Sequence, residues 1–200
     1  MRRTRSSVHF IESPRQQSAL AAPLRQEIID AASAHGGPMS VAELAGQLGR
    51  PADRLYFHVR ALVRVGLLVT DGERKEGRHV ATLYRLPADE VRLKYRPRDK
   101  RNVQRVTAVV DGVLRLARRD FRRRMLSGDA MVEGPKRDTR GGRLKGWLDE
   151  EQSERLVRLL GEIHELMREN GPREGARAVA FTFVCVPVDV PGPKGKKKRK

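Results

Sequence analysis

Apolar side chains in the first half of this chain follow a helical rhythm in three blocks, then give way to two short β-prone runs. Ser13-Pro14 reads as an N-cap followed by a first-turn proline, and Leu20, Leu24, Ile28, Ala31 and Ala32 recur behind it at helical spacing. Pro23 breaks that rhythm and predicts two helices split near Ala22, the second stopping by His35 before Gly36-Gly37-Pro38. Ser40 with Glu43 three residues on is a capping-box pair for a short helix that carries Val41, Leu44, Ala45 and Leu48 and ends at Gly49. After a turn at Arg50-Pro51, a third helix is predicted over residues 52–65, with Leu55, Val59, Leu62 and Val63 as its apolar stripe and Gly66 as its stop. Residues 67–70 and 80–86 read as two strands of a hairpin, joined by a polar, glycine-containing loop over 71–78. Residues 1–12 form a charged arm whose apolar patch, Val8, Phe10 and Ile11, is either a first strand or a docking patch.

Beyond Pro97 the rhythm changes. Val103, Val106, Val110, Val113 and Ala117 alternate at spacings of three and four, a heptad-like seam on a helix expected over 98–125. The seam is read as a homodimer contact, the alternative being packing against the chain's own first half. The other face carries Arg101, Arg105, Arg115, Arg118, Arg119, Arg122, Arg123 and Arg124, which serve either as phosphate grips or as a solvated surface. Residues 127–146 are rich in glycine and charge and read as a linker. Asp149 then caps a last helix with Leu156, Leu159, Leu160, Ile163 and Met167 on its apolar face, stopped by Asn170-Gly171-Pro172. The β-branched run 179–188 is expected to be a buried strand, with Cys185 a small buried hydrophobe inside it. Residues 191–200 make a Lys-rich tail that cannot bury anything and is expected to be disordered. The expected fold class is mainly α with a small β component (α+β), divided into an arm (1–12), a first domain (13–95), a helical region ending in a strand (96–190) and the basic tail (191–200).

Charge narrows the partners. The 200 residues hold 42 Lys and Arg against 25 Asp and Glu, a formal net charge of +17, and such a surface seeks polyanions. One cysteine excludes a disulfide framework within the chain and a cysteine-rich metal site, and it fits a reducing cytoplasm. No apolar h-region follows Met1-Arg2-Arg3-Thr4-Arg5, and no apolar run approaches the ~20 residues of a membrane span. The expectation is a cytoplasmic protein without a membrane partner. There is no Gly-rich phosphate loop, nucleophile elbow or zinc-protease histidine pair, and His9, His35, His58, His79 and His164 are scattered. Neither an enzyme, a cofactor nor a metal is therefore expected.

The order helix, short helix, tight turn, longer helix, β-hairpin is that of a helix-turn-helix followed by a wing, in which the second helix of the pair enters the major groove of DNA. With its apolar stripe inward, the 52–65 helix turns Asp53, Arg54, Tyr56, Phe57 and Arg60 outward, although Tyr56 and Phe57 are adjacent and one of them is expected to be core. His58 is read as a packing or hydrogen-bonding residue rather than a ligand.

Several blocks resemble a known family. Ala19-Leu20-Ala21-Ala22-Pro23-Leu24-Arg25-Gln26-Glu27-Ile28-Ile29 looks like the opening helix of ArsR-like winged-helix repressors, and Met39-Ser40-Val41-Ala42-Glu43-Leu44-Ala45 with Leu48-Gly49 like their second. Phe57-His58-Val59-Arg60-Ala61-Leu62 and Gly66-Leu67-Leu68-Val69 resemble the recognition helix and its exit into the wing, and Tyr84-Arg85-Leu86 the returning strand. The resemblance implies a sequence-specific, DNA-binding transcriptional regulator that acts as a homodimer on double-stranded DNA, with a small-molecule effector as a further possible partner. It places DNA contact at Ala52, Arg54, Tyr56, Phe57 and Arg60, and on the wing (67–86) at Arg74, Lys75, Arg78 and His79. It does not extend to metal sensing, because the recognition helix lacks the family's cysteine pair. The competing reading is a non-specific nucleic-acid binder, architectural or RNA-associated, that uses the Arg-rich helix and the Lys tail.

Overall fold

Capping chemistry sets the helix boundaries. The computed structural model of the protein describes residues 7–168 and 171–189. Strand β1 (Val8–Ile11) leads into helix α1 (Pro14–Leu20), where Ser13 and Gln16 satisfy each other's backbone amides in a capping box. Pro23 opens α2 (Pro23–His35), which ends on Gly36 in the left-handed conformation (φ 73°). Ser40 and Glu43 form a second capping box at α3 (Val41–Leu48), which ends on left-handed Gly49. Helix α4 (Asp53–Arg64) follows, then β2 (Val69–Glu76), β3 (His79–Arg85), β4 (Glu90–Leu93), α5 (Lys100–Leu126) and α6 (Glu150–Arg168).

The core lies among α1–α4. Ile28, Met39, Leu44, Leu55, Val59, Leu62 and Leu67 are wholly withdrawn from solvent, and Ile11, Leu86 and Val109 close its edges. Strands β2 and β3 form an antiparallel hairpin, and Met39 bridges to Tyr84 at its base. The chain is thus mainly helical with a small β component, and its N-terminal half is a winged helix-turn-helix.

Several expectations need correction. The apolar patch at residues 8–11 forms a first strand, one of its two expected readings, but its partner β4 is a strand that the apolar pattern did not predict: β1 pairs with it in parallel, and Ile11 enters the core. The polar stretch expected as a loop over 71–78 is mostly strand. A bulge between Thr70 and Glu73 absorbs Gly72, and only Gly77 and Arg78 form the turn. Main-chain pairing carries this ladder, so the hydrophilic side chains on it gave no sign of a strand.

The seam expected on α5 is divided between the body and the open surface. The face packed on the N-terminal half is Asn102, Val106, Val109, Gly112 and Leu116, and of the five seam residues only Val106 is buried there. Val103 is exposed, and Val110, Val113 and Ala117 are half-buried. Polar anchors set the docked face. The Asn102 carboxamide accepts from the Arg96 backbone amide (2.7 Å) and donates to the Lys94 carbonyl. Gln26 Nε2 donates to the Val109 carbonyl (2.8 Å), and Arg105 Nε donates to Gln17 Oε1 (2.9 Å). An apolar-only pattern cannot count asparagine, glutamine and glycine as core-facing.

Gly112 lets α5 approach α2. A Cβ there would sit 2.8 Å from Gln26 Oε1, on a side chain already held by its bond to Val109. Gly112→Ala is expected to lower stability by about 1–3 kcal/mol, despite a helix-propensity gain of about 1 kcal/mol. Urea denaturation checks the sign, and a variant as stable as the parent would refute the close-approach reading.

The C-terminal expectations divide. The Asp149 side chain accepts from the Gln152 backbone amide (2.8 Å) and caps α6 as expected, and residues 127–149 form neither helix nor strand. The apolar face of α6, however, is only partly covered, and none of its residues is buried. The buried strand expected over 179–188 is not formed: residues 179–189 pair with no other strand among the described residues, and Phe181, Val184 and Cys185 are exposed. A β-branched run becomes a buried strand only beside a partner edge and under a covering layer, and the described residues supply neither. Residues 1–6, 169–170 and 190–200, the Lys-rich tail among them, lie outside the described residues.

Candidate nucleic-acid interface

Helix α4 displays what the core does not need. Leu55, Val59 and Leu62 occupy one narrow sector of the helix and are fully buried. At about 100° per residue, Tyr56 and Phe57 both fall outside that sector. The expectation that one of the pair is core therefore fails, with Tyr56 45% and Phe57 69% exposed. Asp53, Arg54, Arg60 and Arg64 share the open face. Ala52, at the start of the helix, instead packs against the core and is half-buried.

The face is wider than sequence reasoning reached. A groove of about 440 Å³ beside Phe57 is lined by Arg15, Ser18, Arg25, Ala61 and Arg64, so cations from α1 and α2 join those of α4. Arg64 was legible from its position opposite Leu55, but Arg15 and Arg25 come near only through helix packing. His58, half-buried, meets the Phe57 ring edge-on (5.4 Å between centroids). Burial, then the Arg25 charge, holds its imidazole below the usual histidine range, consistent with its reading as a packing residue.

The hairpin contributes unevenly. Lys75, Arg78 and His79 stand exposed at its tip. Arg74 is engaged within the protein, 2.7 Å from Glu43 and 2.8 Å from Glu76, so it ties β2 to the capping residue of α3. The four wing residues named from the sequence thus divide into three that face outward and one that docks the wing.

Glu27 holds the pair of helices in position. Its carboxylate reaches Arg50 in the α3–α4 turn (3.0 Å) and Arg119 on α5 (2.7 Å). Burial alone would push this carboxyl up, but hydrogen bonds and charge from Arg119 and then Arg50 outweigh it and hold the group below its ordinary 4.5. The folded chain therefore binds the proton less readily than the unfolded one. The stabilisation is complete above pH 4.5 and is lost as pH falls through the folded value. Glu27→Gln is expected to flatten this part of the acid limb of a stability–pH profile, and an unchanged acid limb would remove Glu27 from the account.

Residues 20–71 match the family model of a helix-turn-helix domain. They form a helix-turn-helix domain. The match runs from the end of α1 to the start of β2, so the helix-turn-helix domain includes α3, the Gly49–Ala52 turn region and α4 whole. No curated protein matches the chain. No helix among the described residues is long and apolar enough to cross a membrane.

Proposed function

We propose that the chain is a sequence-specific DNA-binding transcriptional regulator of the ArsR-like type. In this reading α4 enters the major groove through Arg54, Tyr56, Phe57 and Arg60. The wing tip, with Lys75, Arg78 and His79, lies on flanking backbone. Residues 13–95 are the DNA-binding unit, 96–190 the assembly or effector region, and the protein acts as a homodimer on two half-sites. The observation that carries the reading is the open face of α4: the helix packs on α1, α2 and α3, and neither α5 nor α6 covers its arginines and aromatics. Ala52 takes a packing role and Arg74 positions the wing.

The test is footprinting and competition binding on the DNA upstream of the protein's own coding sequence. A regulator is expected to bind its operator at least ~10³-fold more tightly than random duplex at physiological salt. A ratio near one would transfer the assignment to the non-specific reading. That reading has its own support in the exposed Arg101, Arg115, Arg118, Arg122 and Arg123 of α5.

A further inference from the structure

Three arginines share one groove with no acid to neutralise them. Helix α1 supplies Arg15, α2 supplies Arg25 and α4 supplies Arg64. No Asp or Glu lines the groove, and none of the three arginines is in an ion pair among the described residues. Cations gathered in this way repel one another. Elsewhere the fold neutralises its clustered arginines: Arg119 of α5 holds Glu27, and Arg124 holds Asp129 and Asp138.

The walls between these cations are largely apolar. Ala19, Phe57, Ala61 and Val65 line them, and the volume of about 440 Å³ lies within the roughly 300–1000 Å³ of small-molecule sites. One of the cations is recessed. Arg25 is half-buried, its Nη1 donates to the Ala19 carbonyl (3.2 Å), and its Nε is withdrawn from solvent with no hydrogen-bond partner among the described residues. A withdrawn donor left without an acceptor is costly, and an anion inside the groove would supply one. A duplex carries its phosphates on a convex surface and meets the exposed Arg15 and Arg64 before it meets Arg25. A small anion with an apolar body fits both the recessed cation and the walls.

We propose that the groove between α1, α2 and α4 is a binding site for a small aromatic carboxylate. The carboxylate lies among Arg15, Arg25 and Arg64, whose planar guanidinium groups match its two oxygens. The ring lies against Phe57 and Ala61, and Ser18 adds a hydroxyl at the rim. The proposal deepens the effector element of the function proposed above and places that element in the DNA-binding unit. Phe57 is both a wall of the groove and a proposed duplex contact, so ligand and operator compete for it. An occupied groove is therefore expected to weaken operator binding. That consequence rests on α4 as the recognition helix, whereas the site itself does not.

Calorimetric titration of the full chain, freed of nucleic acid, with naphthoate and with its neutral amide tests this. Naphthoate is expected to bind the wild type, and the amide to bind roughly tenfold more weakly or worse, since it lacks the charge that the arginines recognise. Arg15→Gln and Arg64→Gln are each expected to weaken naphthoate binding roughly tenfold with an unchanged circular dichroism spectrum, since both side chains are exposed. No binding of naphthoate by the wild type up to about 10 mM would overturn the proposal. So would an amide that binds equally well, or binding indifferent to both substitutions. If naphthoate fails to bind while both substitutions weaken duplex binding, the three arginines belong to the DNA backbone and the proposal falls. The titrations contain no DNA, so their failure leaves the regulator reading standing, and a chain without operator preference would sink that reading alone.

Discussion

Leu62→Ala is expected to lower the unfolding free energy by about 2–5 kcal/mol, a large share of the 5–15 kcal/mol typical of a folded domain. The Leu62 side chain is fully enclosed in the core between the helices. Truncation removes its transfer free energy and leaves a cavity that α2, α3 and the α4 backbone cannot readily collapse to fill. The position has a second role: the Leu62 carbonyl accepts from the amides of Leu67 (3.0 Å) and Leu68 (3.4 Å), which turns the chain out of α4 toward the hairpin. The substitution retains that carbonyl, so the loss should register as packing, with a lower urea midpoint and an unchanged denaturant slope. Tyr56→Ala, on the exposed side of the same helix, should stay within about 0.5 kcal/mol of wild type. Equal losses at the two positions would mean that α4 does not divide into a buried and an open face.

Arg54→Ala should have the opposite profile. Arg54 stands exposed near the N-terminus of α4, the part of a recognition helix that meets base edges, and no ion pair engages it among the described residues. Its removal should leave the unfolding transition in place. The preference for operator over random duplex should fall by roughly 10- to 100-fold, the worth of one arginine contact to a base edge. Removing the Lys-rich tail, which lies outside the described residues, should weaken all duplexes alike and shallow the salt dependence. Competition binding at two salt concentrations separates the two effects. Equal loss of operator and random binding by Arg54→Ala would count against α4 as the recognition helix.

Both outcomes rest on features of different legibility. The α2–α4 core was readable because each buried stripe, such as Leu55, Val59 and Leu62, repeats at helical spacing and each helix has a local stop signal. Capping boxes at Ser13 and Ser40 and left-handed glycines at 36 and 49 are local chemistry, complete within a few residues. The outward setting of Arg54 and Arg60 follows from the same stripe. Tyr56 and Phe57 misled because hydrophobic residues are assumed to be buried, whereas both lie outside the narrow sector of Leu55, Val59 and Leu62 that the core takes up.

What the chain determined by itself is therefore the order and extent of its early helices, the buried side of each and the turn between α3 and α4, because short-range periodicity and capping suffice for these. Tertiary structure alone decided which side of α5 meets the body, because buried Gln17 and Gln26 set that register through hydrogen bonds to residues far away in the sequence. It likewise decided that Arg15 and Arg25 join the open face of α4, that Arg74 docks the wing, and that 179–188 has no partner edge among the described residues. Each of these depends on what stands opposite a residue in space, and one-dimensional spacing carries no record of that.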